Sequence, residues 1–489
     1  MVERFGATDI ANNFHGAARF EAEVIDCEVI GALPAALEGT FYRLGGDWLY
    51  PPRFADDAPF NADGYISMFR FANGSVDYKG RFVRTERYAA QRAVRRQRFG
   101  RYRNPRADDP DTGVVNRTVA NTTPFIFAGR LFALKEDSRP LIIDPHSLET
   151  LGEWDFDGVY SSPTFTAHPK IDPVSGELIC MGYEAEGEAS NAVHIHAIAP
   201  DGGARWRLDL TMPYVSMLHD FAITRHHIVL PVYGLVTGRE RLEAGEVHWG
   251  WDPNRPSHVA VIPRGGTARD VRWFTGPPRA IVHVLNAVEE DGKIILDAPV
   301  SDGNPFPFFP AVDGSAWDRR AARTTIRRLT FDLRSDARTW TEEALFPDAP
   351  GSLGRIDDRF ASLPYRYAFM EYADPTRPYD MARAGKAPPS ISNCYARFDM
   401  RDRTMRSFFA GDSGALQECC FVPRCADAPE GDGFLIGVYS DFAERRSELI
   451  VLDARQPDAG ALARVIMPFR LSSQVHGVWA SRQAIDFRR

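Results

Sequence analysis

A chain of 489 residues exceeds the size at which one ordinary hydrophobic core keeps growing, so it is either several domains or one large closed architecture. Its 44% hydrophobic residues exclude a disordered chain, and 58 basic against 66 acidic residues, a formal net charge of −8, argue against a nucleic-acid partner. The first segment, MVERFGATDIANNF, carries charges and amides where a secretory signal needs an apolar run, and nowhere are there the roughly 18 unbroken apolar residues of a membrane span. The expected location is the cytoplasm, without membrane insertion.

Taken in chain order, the first strong helical signal is RTERYAAQRAVRRQRFGRY, residues 84–102, with Ala90, Val94 and Phe99 near helical spacing. Its arginines Arg87, Arg92, Arg95, Arg96 and Arg98 are read as a solvated helix face. After it the pattern turns to short alternating runs. GRLFALKEDSRPLIIDPHSLETLGEW, HVAVIPRGGTARDVRWF, TTIRRLTFDLRSDARTWTEEAL, CYARFDMRDRTMRSFFAG and DGFLIGVYSDFAERRSELIVLDARQPDAGALARVIMPF each spell strand, tight turn, strand, with Asp, Gly, Pro and Asn as punctuation. Weak self-similarity, LIIDPHSLET against LIVLDARQPDA, suits repeated meanders around an axis; an array of β-sandwiches meets the same signals.

Four histidines, His168, His219, His283 and His476, each open or precede one of these strand-like runs (TAHPK, LHDFAITRHHIVL, VHVLNAVEEDGKIIL and VHGVWA). Ligands on one helix would stand three or four residues apart, whereas this spacing suits radially arranged elements that converge on an axial metal. The competing reading is four unrelated polar side chains. His194 with His196, and His226 with His227, are read as exposed polar strand and turn positions. Asn121-Thr122-Thr123 is a formal glycosylation sequon without meaning in the cytoplasm. The six cysteines (Cys27, Cys180, Cys394, Cys419, Cys420 and Cys425) lack CxxC spacing and are read as reduced core thiols. No G-x-S-x-G elbow, P-loop or dinucleotide GxGxxG stands in a suitable setting, so serine hydrolysis and nucleotide chemistry gain no support.

The segments GTFYRLGGDWLYPP, FNADGYISMFRF, ERYAAQRAVRRQRFGRYRNPRADDP, VANTTPFIFAGRLFALKEDSRP, LPYRYAF and ECCFVPRCADAPEGDGFLIGVYSD, with the four histidine contexts, resemble the carotenoid cleavage oxygenase superfamily from about residue 39 to 480. Within it the chain looks most like the bacterial lignostilbene dioxygenases, on the strength of YRNP followed by DDP. The resemblance implies one domain over residues 1–489, an all-β seven-bladed propeller with a helical cap that includes about 84–102. On its axis one Fe(II) per chain would be held by His168, His219, His283 and His476, with O2 as co-substrate and no organic cofactor. Imidazole suits ferrous iron, and ligating histidines usually give their second N–H to a carboxylate. Glu136 in LKED and Glu418 in QECCFVP match two such carboxylates of the family. Where the third is common, in a pattern like EFPRID, this chain reads SLGRID and places Ser352. Thr122 matches a threonine that narrows the remaining coordination position.

The same resemblance assigns Tyr102 in GRYRNP and Lys135 in ALKED to the hydroxyl of a phenolic ring, and Phe60 in PFNADG to packing on that ring. Phe306 and Phe308 in NPFPFFP are expected along the cleft. The implied reaction splits the central C=C bond of a 4-hydroxystilbene with O2 into two aromatic aldehydes. Alternatives are an isoeugenol-like phenylpropene, an apocarotenoid, or a catalytically silent propeller that serves as a binding scaffold. A small phenolic molecule is the expected partner, and a homodimer the expected assembly.

Overall fold

Strands that must be covered on both faces alternate side chains between two neighbours, and that rule builds the molecule. In the computed structural model, which describes residues 17–113, 115–387 and 391–485, the chain forms seven antiparallel meanders in sequence: five four-stranded sheets flanked by two five-stranded ones. The N-terminal segment read for a signal therefore lies outside the described residues. Each sheet is one blade of a seven-bladed β-propeller. Taken in order, the four-stranded blades start at Thr123–Phe127, Lys170–Ile171, Ala222–Ile223, Asn286–Glu290 and Arg355–Ile356.

The ring is closed twice by pairing the two ends of the chain. His476–Ser481 joins the blade of Gly39–Asp47, Asp63–Ala72 and Ser75–Phe82, with Leu44 opposite His476. Glu28–Gly31 in turn pairs with Ala461–Ile466 and completes the blade that begins at Gly414–Pro423.

The apolar core lies between blades rather than at one centre. Val259, Val261 and Phe274 of one blade pack with Ile294, Leu296, Leu329 and Phe331 of the next. Tyr42, Leu44 and Ile66 meet Leu131, Leu141 and Ile143 in the same way, and Ile436, Leu449 and Val451 meet Phe69, Phe71 and Val76 across the closure. With about 1.5–3 kcal/mol for each fully buried large side chain, every blade is held mainly by its two neighbours.

Two readings of the sequence need correction. The helix predicted over 84–102 is only Glu86–Val94: Thr85 caps it by accepting the Tyr88 N–H, and Arg95 ends it in the left-handed conformation at φ 57°. The arginine run is not one solvated face either. Arg87 is buried, donating to Asn61 Oδ1 and to the Asn61 carbonyl at 2.7 and 2.8 Å beneath the Phe99 ring, whereas Arg92 and Arg95 face solvent. The expected helical cap holds only this one helix of nine residues around 84–102, and the other described α-helices have four or five residues.

Candidate metal centre and substrate cleft

In a propeller the innermost strand of each blade starts close to the axis, so a residue just before that strand points its side chain there. His476 is the first residue of its strand, His168 stands two before Lys170–Ile171, and His219 and His283 each stand three before Ala222–Ile223 and Asn286–Glu290. One nitrogen of each of these four imidazoles lies within 4.8 Å of the others. His168 Nε2 and His219 Nε2 are 3.0 Å apart, and His219 Nε2 and His283 Nε2 3.2 Å. His476 Nε2 is buried with no partner among the described residues.

Burial, then the neighbouring imidazoles, hold His168 and His283 well below the usual histidine pKa, so both are neutral lone-pair donors. Four converging nitrogens, one of them without a partner, fit a divalent first-row metal. Hydrogen bonds alone cannot satisfy lone pairs that all face one point.

The far nitrogens are oriented from behind. His219 Nδ1 meets Glu136 Oε1, and His476 Nδ1 donates to Glu418 Oε1 at 2.9 Å, while Glu418 Oε2 accepts the Gly477 N–H at 2.7 Å. Burial raises the Glu136 carboxyl, but the adjacent His219 outweighs it and holds the group well below the ordinary range. His283 Nδ1 has no side-chain hydrogen-bond partner among the described residues and faces the Ser352 backbone, and position 352, three residues before Arg355–Ile356, carries only a serine.

Reading the sequence alone missed Asp220. Its Oδ1 accepts the Phe221 N–H and pairs with Lys170 Nζ, both at 2.7 Å, and its Oδ2 accepts the Val284 N–H at 2.9 Å. One carboxylate thereby ties the segments of His168, His219 and His283 together. Its position directly after a ligand, in LHDF, is the signal that could have found it.

Beside this centre lies a cavity of about 810 Å³ whose walls include His283, Phe306, Phe308, Trp317 and Ser352. Phe60, Tyr102 and Lys135 are not among its walls. Phe60 packs edge-on against Phe306 and Phe308 at 5.3 and 5.0 Å and against Tyr102 at 6.0 Å, so it separates the phenylalanines from the Tyr102 and Lys135 pair. Lys135 Nζ stands 5.0 Å from the Tyr102 ring centre and donates to Asn121 Oδ1 at 2.9 Å and the Phe60 carbonyl at 3.3 Å. No carboxylate forms an ion pair with it among the described residues. Burial lowers its pKa, against the opposing pull of Glu136.

The buried Tyr102 hydroxyl meets no close hydrogen-bond partner among the described residues, although the Arg103 side chain lies near it, and burial holds it well above the usual phenol pKa, so it remains a proton donor. Asp57 fixes this tyrosine by accepting its backbone N–H at 2.8 Å. Behind it Arg103 pairs with Glu184 at 2.6 Å, and His248 Nε2 lies 3.0 Å from both oxygens of the same carboxylate.

Thr122 is buried just before its blade's innermost strand, where its hydroxyl donates to Asn121 Oδ1 at 3.3 Å. The other histidine pairs stand apart from the four, and their reading as exposed positions needs correction. His196 is buried against Tyr160, and His227 Nδ1 lies 2.8 Å from Glu289, while His226 is exposed. A β-strand covered by neighbouring blades leaves few exposed faces. Among the described residues no helix is long and apolar enough to cross a membrane.

The family model described as retinal pigment epithelial membrane protein (RPE65) matches residues 14–481. Lignostilbene-alpha,beta-dioxygenase isozyme III of Sphingomonas paucimobilis is 39% identical over 94% of this chain and 95% of that protein. Isoeugenol monooxygenase of Pseudomonas putida is 38% identical over 95% and 96%. The crystal structure of Pseudomonas brassicacearum lignostilbene dioxygenase superposes with a TM-score of 0.94 at 41% identity, over 98% of this chain and all of that one. The chain belongs to the RPE65, or carotenoid oxygenase, family and is one of its oxygenases that cleave carbon–carbon double bonds.

Proposed function

We propose that the chain is an Fe(II)-dependent dioxygenase that cleaves the central double bond of 4-hydroxystilbenes into two aromatic aldehydes. The carrying observation is the buried Lys135 ammonium, without a carboxylate partner among the described residues, beside the buried Tyr102 hydroxyl, which meets no close hydrogen-bond acceptor there. Two donors in a dry, aromatic-walled corner suit a phenol or phenolate oxygen, since a buried cation favours the ionised form.

Iron(II) held by His168, His219, His283 and His476 would supply the redox chemistry that makes O2 reactive. The residues of the chain do the rest. Lys135 and Tyr102 fix the hydroxyl end and favour the phenolate, whose electron density spreads through the conjugated alkene. Phe60, Phe306 and Phe308 clasp the rings and exclude water. Glu136 and Glu418 orient two imidazoles, and the Thr122 methyl and hydroxyl narrow the approach to the metal. One alkene and one O2 become two aldehydes, so both oxygen atoms are placed and no external reductant is required.

The six cysteines are all free, which supports a reducing, cytoplasmic setting; five are buried, but Cys425 is exposed and is not the core thiol expected from the sequence. A phenylpropene is the second reading, because its para-hydroxyl suits the same Lys135 and Tyr102 pair and one relative is an isoeugenol monooxygenase.

Aerobic turnover by iron-loaded protein of a 4-hydroxystilbene, its 4-methoxy analogue, isoeugenol and an apocarotenoid tests the proposal. Two aldehydes from the hydroxystilbene, with the methoxy analogue much slower, is the expected result. Preference for isoeugenol would establish the second reading, and cleavage of the apocarotenoid alone would refute both.

A further inference from the structure

The metal-facing histidines are not equally supported, and the imbalance points to a residue outside the matched motifs. Glu136 serves His219 and Glu418 serves His476, the latter with Arg355 Nη1 also 3.7 Å away. His283 Nδ1, equally buried, has no side-chain partner among the described residues and faces only the Ser352 backbone, while the Ser352 side chain supplies no carboxylate. A third buried carboxyl nevertheless stands close by.

Glu371, in the strand Tyr367–Tyr372, is 4% exposed. Its Oε1 accepts the Leu353 N–H at 3.3 Å, and its Oε2 has no partner among the described residues. No cationic side chain pairs with it among the described residues. The Ser352 backbone lies against both the Glu371 carboxyl and the His283 ring, and all three residues line the same cavity. An imidazole N–H without a side-chain partner and a carboxyl oxygen without any partner among the described residues thus flank one short peptide segment.

We propose that Glu371 is a positioning residue for His283, acting through the Ser352–Leu353 backbone in place of a carboxylate at position 352. The inference rests on the reading of the four histidines as an iron site. Backbone N–H groups held by a carboxylate are polarised, and their chain offers a stronger acceptor to the imidazole N–H. A ligand so held is oriented and made more basic. Burial pushes the Glu371 carboxyl up to about 8 in the metal-free chain, and a dication nearby favours its ionised form.

The test is iron retention against a chelator, with X-ray absorption at the iron, for wild type, Glu371→Gln and the double variant Ser352→Glu/Glu371→Gln. Glu371→Gln keeps the Leu353 hydrogen bond and loses only the charge, so a merely structural anchor would leave iron unmoved. The expected result is about tenfold weaker retention and a lower nitrogen coordination number in Glu371→Gln, with the melting temperature of metal-free protein unchanged. Relocating the carboxylate in the double variant restores both. Glu371→Gln that retains iron like wild type, or a loss that the double variant does not recover, overturns the inference. Wild-type protein that takes up no iron overturns the iron site itself, and this inference with it.

Discussion

Replacing Lys135 by Met separates the chemistry of the phenol from the stability of the fold. The side chain is 3% exposed, and its Nζ holds only neutral acceptors, Asn121 Oδ1 at 2.9 Å and the Phe60 carbonyl at 3.3 Å. At an effective dielectric constant of about 20, two unit charges about 4 Å apart attract by about 4 kcal/mol, and the net value of a charge-assisted hydrogen bond is about 1.5–3 kcal/mol. Loss of that contact in the transition state lowers kcat/KM for a 4-hydroxystilbene by about 10- to 150-fold. The 4-methoxy analogue cannot ionise, so its kcat/KM stays within about twofold. Folding is expected to be unchanged or improved, because an unpaired buried ammonium is replaced by an apolar side chain of similar length. Steady-state kinetics on the two substrates and thermal unfolding of the two proteins give the answer. Equal losses on both substrates, or no loss on the phenol, would refute the assignment of Lys135 to the phenolic oxygen.

Other consequences follow from the same geometry. Lys135 must be protonated to hold a phenolate and burial lowers its pKa, so kcat/KM for the phenolic substrate should fall on the alkaline side through a pKa below the ordinary lysine value of 10.5; a pH profile of Lys135→Met should lack that limb. Asp220→Asn replaces one acceptor of the clasp by a donor, facing either the Val284 N–H or Lys170. Thermal unfolding should show a loss of about 1–3 kcal/mol, and a chelator should strip iron faster than from wild type. Phe306→Ala removes a cavity wall that also packs on Phe60, and should raise KM for a stilbene several-fold while kcat changes less, which initial rates over a substrate range measure.

What the sequence made legible follows from the symmetry of the fold. Each meander is written locally, as apolar alternation broken by Asp, Gly and Pro, so repeated meanders could be anticipated without knowing any long-range contact, whereas their number, seven, came only with the family resemblance. Each axial histidine is also a local event, a side chain placed just before an innermost strand, and the ring turns four such events into one cluster. The contacts behind that cluster have no local signature. Glu371 reads as one acid in the apolar strand YAFMEY, and its relation to His283 exists only because neighbouring blades bring residues 88 positions apart to one cavity. Arg87 looks like one more solvated charge until Asn61 and Phe99 close over it. The helix stops at Val94 because Arg95 turns left-handed, which good helix formers on either side conceal.

The same distinction explains why two imidazoles could be matched to carboxylates from motifs and the third could not. Glu136 follows the second strand of its blade and Glu418 sits at the register shift inside the first strand of its own, and they reach His219 and His476 directly. At position 352 the blade presents Ser352 instead, and a buried carboxyl, Glu371, comes from the second strand of that blade, facing the peptide rather than the ring. Two directly bonded imidazoles and one held through a backbone segment make an electrically uneven cage. If Glu371 acts as proposed, His283 is the ligand whose grip depends most on the surrounding backbone, so substitutions in Ser352–Leu353 should loosen iron before substitutions beside His219 or His476 of equal size do.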